Sequence, residues 1–270
     1  MLNLSLLQTK VTLSQDWQET KALLKQWLVG NEPRQLITVN PEFVLESVRN
    51  PQFKQAIEST VSVPDGIGIV WAGHYLQKTY SSTFLNIIRW IVTGAGLIFT
   101  PWRSKDVIKE RITGVEVTEW LCQQEGVRAY FLGGLPGIGE RAKEYLERKY
   151  PGVRIVGVNS GPLDIKTMTT EEEQKLVMDI NASEANVLVI AWNAPYAQIW
   201  LYKRLGELVN IKIGIGVGGT LNFFAGTIKR SPRVFQALGL EWLWRLLREP
   251  WRVKRIVRAL RFSYLVARSR

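Results

Sequence analysis

The chain is nearly empty of the side chains that carry most metal and nucleophile chemistry. Its 270 residues include one cysteine, Cys122, and one histidine, His74. A single thiol excludes an intrachain disulfide and a thiolate metal cluster. A single imidazole excludes a His-rich metal site and a pair of catalytic histidines. His74, in "WAGHYL", reads as a helix-surface or packing residue rather than a ligand. No Walker A, HExxH or GxSxG motif occurs, so neither a metal site nor a bound cofactor is expected. The first residues, "MLNLSLLQTKVTLSQD", lack the basic segment and long apolar core of a secretory signal, and the expected compartment is the cytosol.

What is present describes a folded globular chain, 46% hydrophobic and 22% charged. The net charge of +11 is concentrated at one end. Residues 227–270 hold 12 Lys and Arg against Glu241 and Glu249, leaving the first 226 residues almost neutral. That step in charge predicts a body over 1–226 and a basic appendage over 227–270.

From residue 34 onward, short β-type runs alternate with helical patterns. "RQLITVN", "STVSV", "VRAYFLGG", "VRIVGVNSG", "NVLVIAWNAP" and "IKIGIGVGG" are each followed by a helix-like segment. Thr170-x-x-Glu173 has the form of a capping box opening one of them. This spacing predicts an α/β fold, a mostly parallel Rossmann-like sheet with helices on both faces. The strand ends carry Thr38 and Asn40, Asp65, Gly133 and Gly134, Ser160 and Gly161, Asn193 and Pro195, and Gly216, Gly218 and Gly219. Ligands of open α/β sheets bind at the carboxyl ends of strands, so this rim is the expected site. Asp65, in "VSVPDGIGIVWA", has two readings: the N-cap of the next helix, or a catalytic base at the mouth of the sheet.

Two stretches stand apart. "FLNIIRWIVTGAGLIFTPW" (84–102) is strongly apolar but interrupted by Asn86, Arg89 and two glycines, and reads as a buried or interfacial helix pair rather than a membrane span. In the tail, Val253, Ile256, Val257, Leu260 and Tyr264 share one helical face while Arg252, Lys254, Arg255, Arg258 and Arg261 surround the other; Phe262 and Leu265 break the stripe. With Trp242, Trp244 and Trp251 upstream, this composition suits a helix lying on an anionic membrane, Arg252, Arg255, Arg258 and Arg261 making the contact. The competing reading is a core-packing terminal helix with a solvated basic face. Nucleic acid is not expected, because no nucleic-acid motif accompanies the charge.

"GIGVGG" (214–219) matches a dinucleotide fingerprint, but the acidic residue about 20 positions on is Glu241, inside a helical pattern, so the fingerprint fails its context. The glycines of "FLGGLPGIGE" make a turn into a helix N-terminus, where backbone N–H groups can hold a phosphate. There is no Asp-x-Asp pair to hold a divalent ion on a diphosphate. Arg111 and the Arg230/Arg233 pair are the candidate positive partners.

Taken in order, "TVNPEFV", "VPDGIGIVWA", "RITGVEV", "FLGGLPGIGERA", "GIGVGGTLNFFAGTIKRSP" and "GLEWLWRLLREPWR" resemble the WecG/TagA/CpsF glycosyltransferases from about residue 36 to 255. The resemblance implies inverting, metal-independent transfer of a sugar of N-acetylmannosamine or glucose type. The donor is a UDP-sugar and the acceptor a lipid-pyrophosphate-linked sugar at the cytoplasmic face of the plasma membrane, in cell-surface polymer synthesis. It also implies roles by position: Asp65 as general base, Thr38 and Asn40 beside donor and acceptor, Gly133 and Gly134 at the nucleotide, and Arg111 as a substrate arginine. Asn193, Gln198, Gly218, Arg230 and Arg233 complete the expected substrate-binding set. The family's Pro-Lys-Gln-Glu is replaced here by Pro195-Tyr196-Ala197-Gln198, and Pro162-Leu163-Asp164 stands where an aromatic is usual. These departures leave open an alternative, a UDP-sugar-binding membrane-associated protein without catalysis. Asp164 is a second acid near the rim, and the apolar 84–102 stretch suits a second copy of the chain as well as lipid.

Overall fold

The computed structural model describes residues 1–77, 82–99, 107–162, 165–228 and 241–269, together with Pro232 and Phe235. The strands are β1 (Leu2–Leu6), β2 (Thr9–Leu13), β3 (Arg34–Val39), β4 (Val61–Pro64), β5 (Ala129–Leu132), β6 (Ile155–Asn159), β7 (Val187–Ile190) and β8 (Ile213–Gly216). They form one eight-stranded sheet in the order β1-β2-β4-β3-β8-β7-β5-β6. β1 and β2 pair antiparallel as a hairpin, and β2 with β4, β3 with β8, β8 with β7, β7 with β5 and β5 with β6 pair parallel. The expected α/β class and mostly parallel sheet are therefore found. β5, β7 and β8 are buried along their whole length, which is why they read as unbroken apolar runs.

The helices are α1 (Trp17–Val29), α2 (Pro41–Ser47), α3 (Pro51–Glu58), α4 (Ile67–Leu76), α5 (Thr83–Phe99), α6 (Gly114–Cys122), α7 (Ile138–Lys149), α8 (Thr170–Ala182), α9 (Tyr196–Arg204), α10 (Thr220–Phe224), α11 (Glu241–Arg248) and α12 (Val253–Arg268). Their starts follow local chemistry. Asn40 and Asn50 each accept from the backbone N–H three residues on, at 3.1 Å, with a proline in the first turn. Thr113 and Glu116 form a full capping box. The box that opens α8 is Thr169 with Glu172, one residue before the expected Thr170 and Glu173. The shift frees Glu173 to reach Arg204 of α9, at 2.7 Å. The apolar 84–102 stretch forms one helix, α5, over Thr83–Phe99 rather than a pair; no helix among the described residues is long and apolar enough to cross a membrane.

By contact the chain divides into two units. Unit 1 comprises Met1–Glu19, Val39–Ile112 and Arg230–Arg270; unit 2 comprises Thr20–Thr38 and Thr113–Lys229. This partition is distinct from the step in charge at residue 227. In unit 1, α12 packs on α2, α4 and α5, burying Phe262, Val266 and Ala267. In unit 2 a core of Tyr130, Leu132, Leu188, Ile190, Trp200 and Leu201 fills the space between strands and helices.

Candidate functional site

Unit 1 gathers three of the expected site residues. Asp65 directly follows β4, and its backbone N–H donates to the carbonyl of Val39 at 2.8 Å, tying it to the end of β3. Asn40 follows Val39, and Arg111 is held nearby because the N–H of Ile112 donates to the Pro64 carbonyl at 2.9 Å. Asn40, Asp65 and Arg111 are all half-buried, between core and solvent.

The glycines of "DGIG" explain how the turn is made. Gly66 has φ of +144°, a conformation that side chains disfavour. A Cβ there would stand 3.5 Å from Cδ of Pro41, so the turn lies against the Asn40–Pro41 step. At Gly68 a Cβ would come within 2.6 Å of Cγ of Pro41, so only glycine lets the first turn of α4 seat against the first residue of α2. One glycine thus permits the turn and the other locks it beside Asn40. The cap position of α4 is Gly66, with no side-chain cap, so Asp65 is not the N-cap residue of that helix. Asn40 spends its Oδ1 on capping Phe43, which fixes the plane of its amide.

Unit 2 holds the glycine turns. Gly133 and Gly134 follow β5 with φ of +94° and +89°. The N–H of Gly133 donates to Asn159 O at 2.8 Å, and Asn159 Oδ1 accepts from Gly161 at 2.8 Å. A Cβ on Gly133 would fall 2.7 Å from the Trp192 ring, and one on Gly161 would fall 3.1 Å from it. Trp192 is the residue that the sequence reading passed over: its indole is wedged between the two glycine turns, and its buried Nε1 has no hydrogen-bond partner among the described residues. Its signal was the conjunction of a tryptophan at a strand end with glycines at two other strand ends.

Asn193 is exposed just beyond Trp192, and its carbonyl accepts from Tyr196 at 3.1 Å. Gln198 is buried beneath β8, donating to Gly216 O at 3.2 Å while its own carbonyl accepts from Gln35 at 3.0 Å. The close approach needs glycine at 216, where a Cβ would meet Gln198 Nε2 at 2.6 Å; Gly214 likewise clears Leu201. Two glycines of "GIGVGG" therefore serve helix packing. Gly218, with φ of +53° and open space at its Cβ position, makes the turn before α10. Thr38 is buried in β3 of unit 2. Arg230, Arg233 and Asp164 lie outside the described residues.

The four expected membrane arginines sit on or next to α12. Arg252 pairs with Glu249, whereas Arg255 and Arg258 converge on Glu42 of α2 at 3.0 and 3.1 Å. Arg261 lines a groove of about 820 Å³ with Arg49, Arg258 and Arg268; none of Asn40, Asp65 and Arg111 lines it. Cys122 is buried, and burial pushes its thiol up to about 12, which removes it from nucleophilic chemistry. Among the described residues no group of three His, Cys, Asp or Glu side chains is arranged to hold a metal ion.

Unit 1 thus carries a carboxylate, an amide and an arginine on segments tied together by backbone hydrogen bonds, and unit 2 carries glycine turns after β5 and β6. The chain belongs to the glycosyl transferase WecG/TagA/CpsF family, whose model matches residues 4–87 and 79–270.

Proposed function

We propose that this protein is an inverting, UDP-sugar-dependent hexosyltransferase acting on a lipid-pyrophosphate-linked sugar. Membership in a glycosyltransferase family means a sugar donor and an acceptor. The observation that carries the finer reading is the Asp65 turn, tied to Val39 through its own N–H and seated against Asn40–Pro41 through Gly66 and Gly68. In the proposed reaction the acceptor hydroxyl attacks the anomeric carbon of the donor and passes its proton to Asp65. As that carbon–oxygen bond forms, the bond from the anomeric carbon to the diphosphate oxygen breaks through an oxocarbenium-like transition state. UDP leaves with the electron pair, and Arg111 offsets its charge. A single displacement needs one base and inverts the configuration.

A second reading is favoured by Gln198. Its amide is committed to Gly216 and its Oε1 is buried, so the Pro195–Gln198 segment offers no carboxylate or lysine where the family usually has both. That supports an altered donor or a binding-only member.

The test incubates the full-length protein with membranes carrying an undecaprenyl-pyrophosphate-linked amino sugar and a panel of UDP-sugars, with and without a chelator. The expected result is chelator-insensitive UDP release that requires acceptor and falls about 10²–10⁴-fold in Asp65→Asn, the usual worth of a general base. Nucleotide binding with no release from any donor would leave the binding-only reading in its place.

A further inference from the structure

The groove of about 820 Å³ in unit 1 lies between α2, α12 and the turn that joins β1 to β2. Its long walls are two helical seams. α12 presents Arg258, Arg261, Leu265 and Arg268, which recur at three, four and three residues, the spacing of a helix face that packs lengthwise on another helix. α2 and the turn that ends it present Glu42, Leu45, Glu46 and Arg49 at matching intervals. α12 spends Phe262 and Val266 on the core, so this seam is left over for the groove.

Leu7, Leu45 and Leu265 are half-buried and give the groove an apolar lining. Leu7 is held at φ of +50° and Gln8 at +67°, a region that bulky side chains disfavour, and both line the groove. The hairpin therefore turns on a leucine where glycine or asparagine is the ordinary choice. The charges are of both signs and unevenly matched. Glu42 is met by Arg255 and Arg258, at 3.0 and 3.1 Å. Among the described residues Glu46, Arg49, Arg261 and Arg268 make no ion pair, which sets three cations against one carboxylate.

We propose that this groove docks an amphipathic helix of a partner protein. Its apolar stripe lies on Leu7, Leu45 and Leu265, and its carboxylates face Arg49, Arg261 and Arg268. A third helix laid along two seams of this spacing completes a lengthwise three-helix packing. The lining selects a helix over a flat anionic surface, because a flat surface does not enter a concave groove and would set its own charge against Glu46. Glu46 also shapes the partner, which carries a neutral or basic residue opposite it among its acids. A basic helix is rejected by the three unmatched arginines.

The test uses the full-length protein and a fluorescein-labelled helical peptide of about three heptads, with leucine at a and d and glutamate at e and g. A twin peptide carries lysine at e and g. By anisotropy at physiological salt, the acidic peptide should bind and the lysine twin should not. Arg261→Glu with Arg268→Glu should weaken the acidic peptide about tenfold or more and admit the twin. Both positions are exposed, so the unfolding temperature should hold. Lys25→Glu with Arg148→Glu, exposed in unit 2, changes the net charge equally and should leave both affinities as they were. Equal weakening by the two pairs, or no binding of the acidic peptide, would overturn the proposal. Phosphatidylglycerol vesicles and sedimentation of the protein alone are read in parallel. If Arg261→Glu with Arg268→Glu abolishes vesicle binding or self-association and spares the peptide, the groove belongs to lipid or to a second copy, and the partner helix is overturned.

Discussion

Units 1 and 2 both rely on amphipathic helices, but they use the two faces in opposite ways. In unit 2, α7 buries Ile138, Ala142 and Leu146 and turns its charged residues to water, and α8 does the same with an acidic outer face. In unit 1, α5 turns polar residues inward, and α12 has an apolar face on each side. Periodicity locates a helix and its stripes. It does not say which stripe meets the protein, because burial depends on the surface that other segments offer.

The largest expected effect tests the two faces of α12. Phe262→Ala should cost about 3–5 kcal/mol by denaturant unfolding, since the ring is fully buried. Val257→Asp, on the open stripe, should stay within about 0.5 kcal/mol. Equal effects would erase the distinction between the stripes.

Next come the glycines that hold elements together in each unit. Gly68→Ala sets a methyl 2.6 Å from Pro41 in unit 1, and Gly139→Ala sets one 2.4 Å from Val158 in unit 2. Each should lose about 1–3 kcal/mol by thermal or urea unfolding. Shortening the neighbour, Val158→Ala, should restore much of the second loss. Proline 41 has no such remedy, and Gly68→Ala should also reduce turnover because the Asp65 turn is seated through it.

A smaller effect tests the ion pairing typical of unit 2. The Arg204 guanidinium holds the Glu173 carboxyl below the usual carboxylate range. A depressed carboxylate contributes stability above its unfolded value, about 4.3, and loses it as pH falls through the folded value. Glu173→Gln should therefore be less stable than the parent by about 1 kcal/mol at neutral pH. The gap should close in acid; a gap that persists there would assign the loss to packing.

The smallest change is expected at Glu42, the carboxylate in unit 1 that Arg255 and Arg258 share. Both arginines are more than half exposed, so Glu42→Gln should shift unfolding by less than about 0.5 kcal/mol. Its readout is binding of the acidic helical peptide at low salt, which should strengthen as the groove loses a carboxylate.

Much of the frame was legible before the fold. Parallel strands buried on both faces leave apolar runs, and the polar or glycine residues that end them mark the rim, so Asp65, Gly133 and Gly218 stood out. The N-terminal hairpin did not. Its turn uses Leu7 and Gln8 at φ of +50° and +67°, without the glycine or asparagine that normally signals such a turn. Gln198 entered the expected substrate-binding set through the resemblance, yet one helical turn carries it beneath β8. Trp192 drew no reading at all, because only the fold brings Gly133 and Gly161 against its ring.

By itself the sequence determined much of the local structure: where helices start after the apolar runs, where asparagine and threonine cap them, and where glycine permits a turn. Those depend on contacts within about four residues. It also narrowed the chemistry, because one cysteine and one histidine leave no intrachain disulfide, thiolate cluster or His-rich metal site. The tertiary structure decided what distant segments settle together. Pro41 makes glycine necessary at position 68, and Glu42 is met by arginines more than 200 positions away, at 3.0 and 3.1 Å. The inward face of α12 was decided in the same way, because the free energy of burying Phe262 exists only once α2, α4 and α5 have built the surface that receives it.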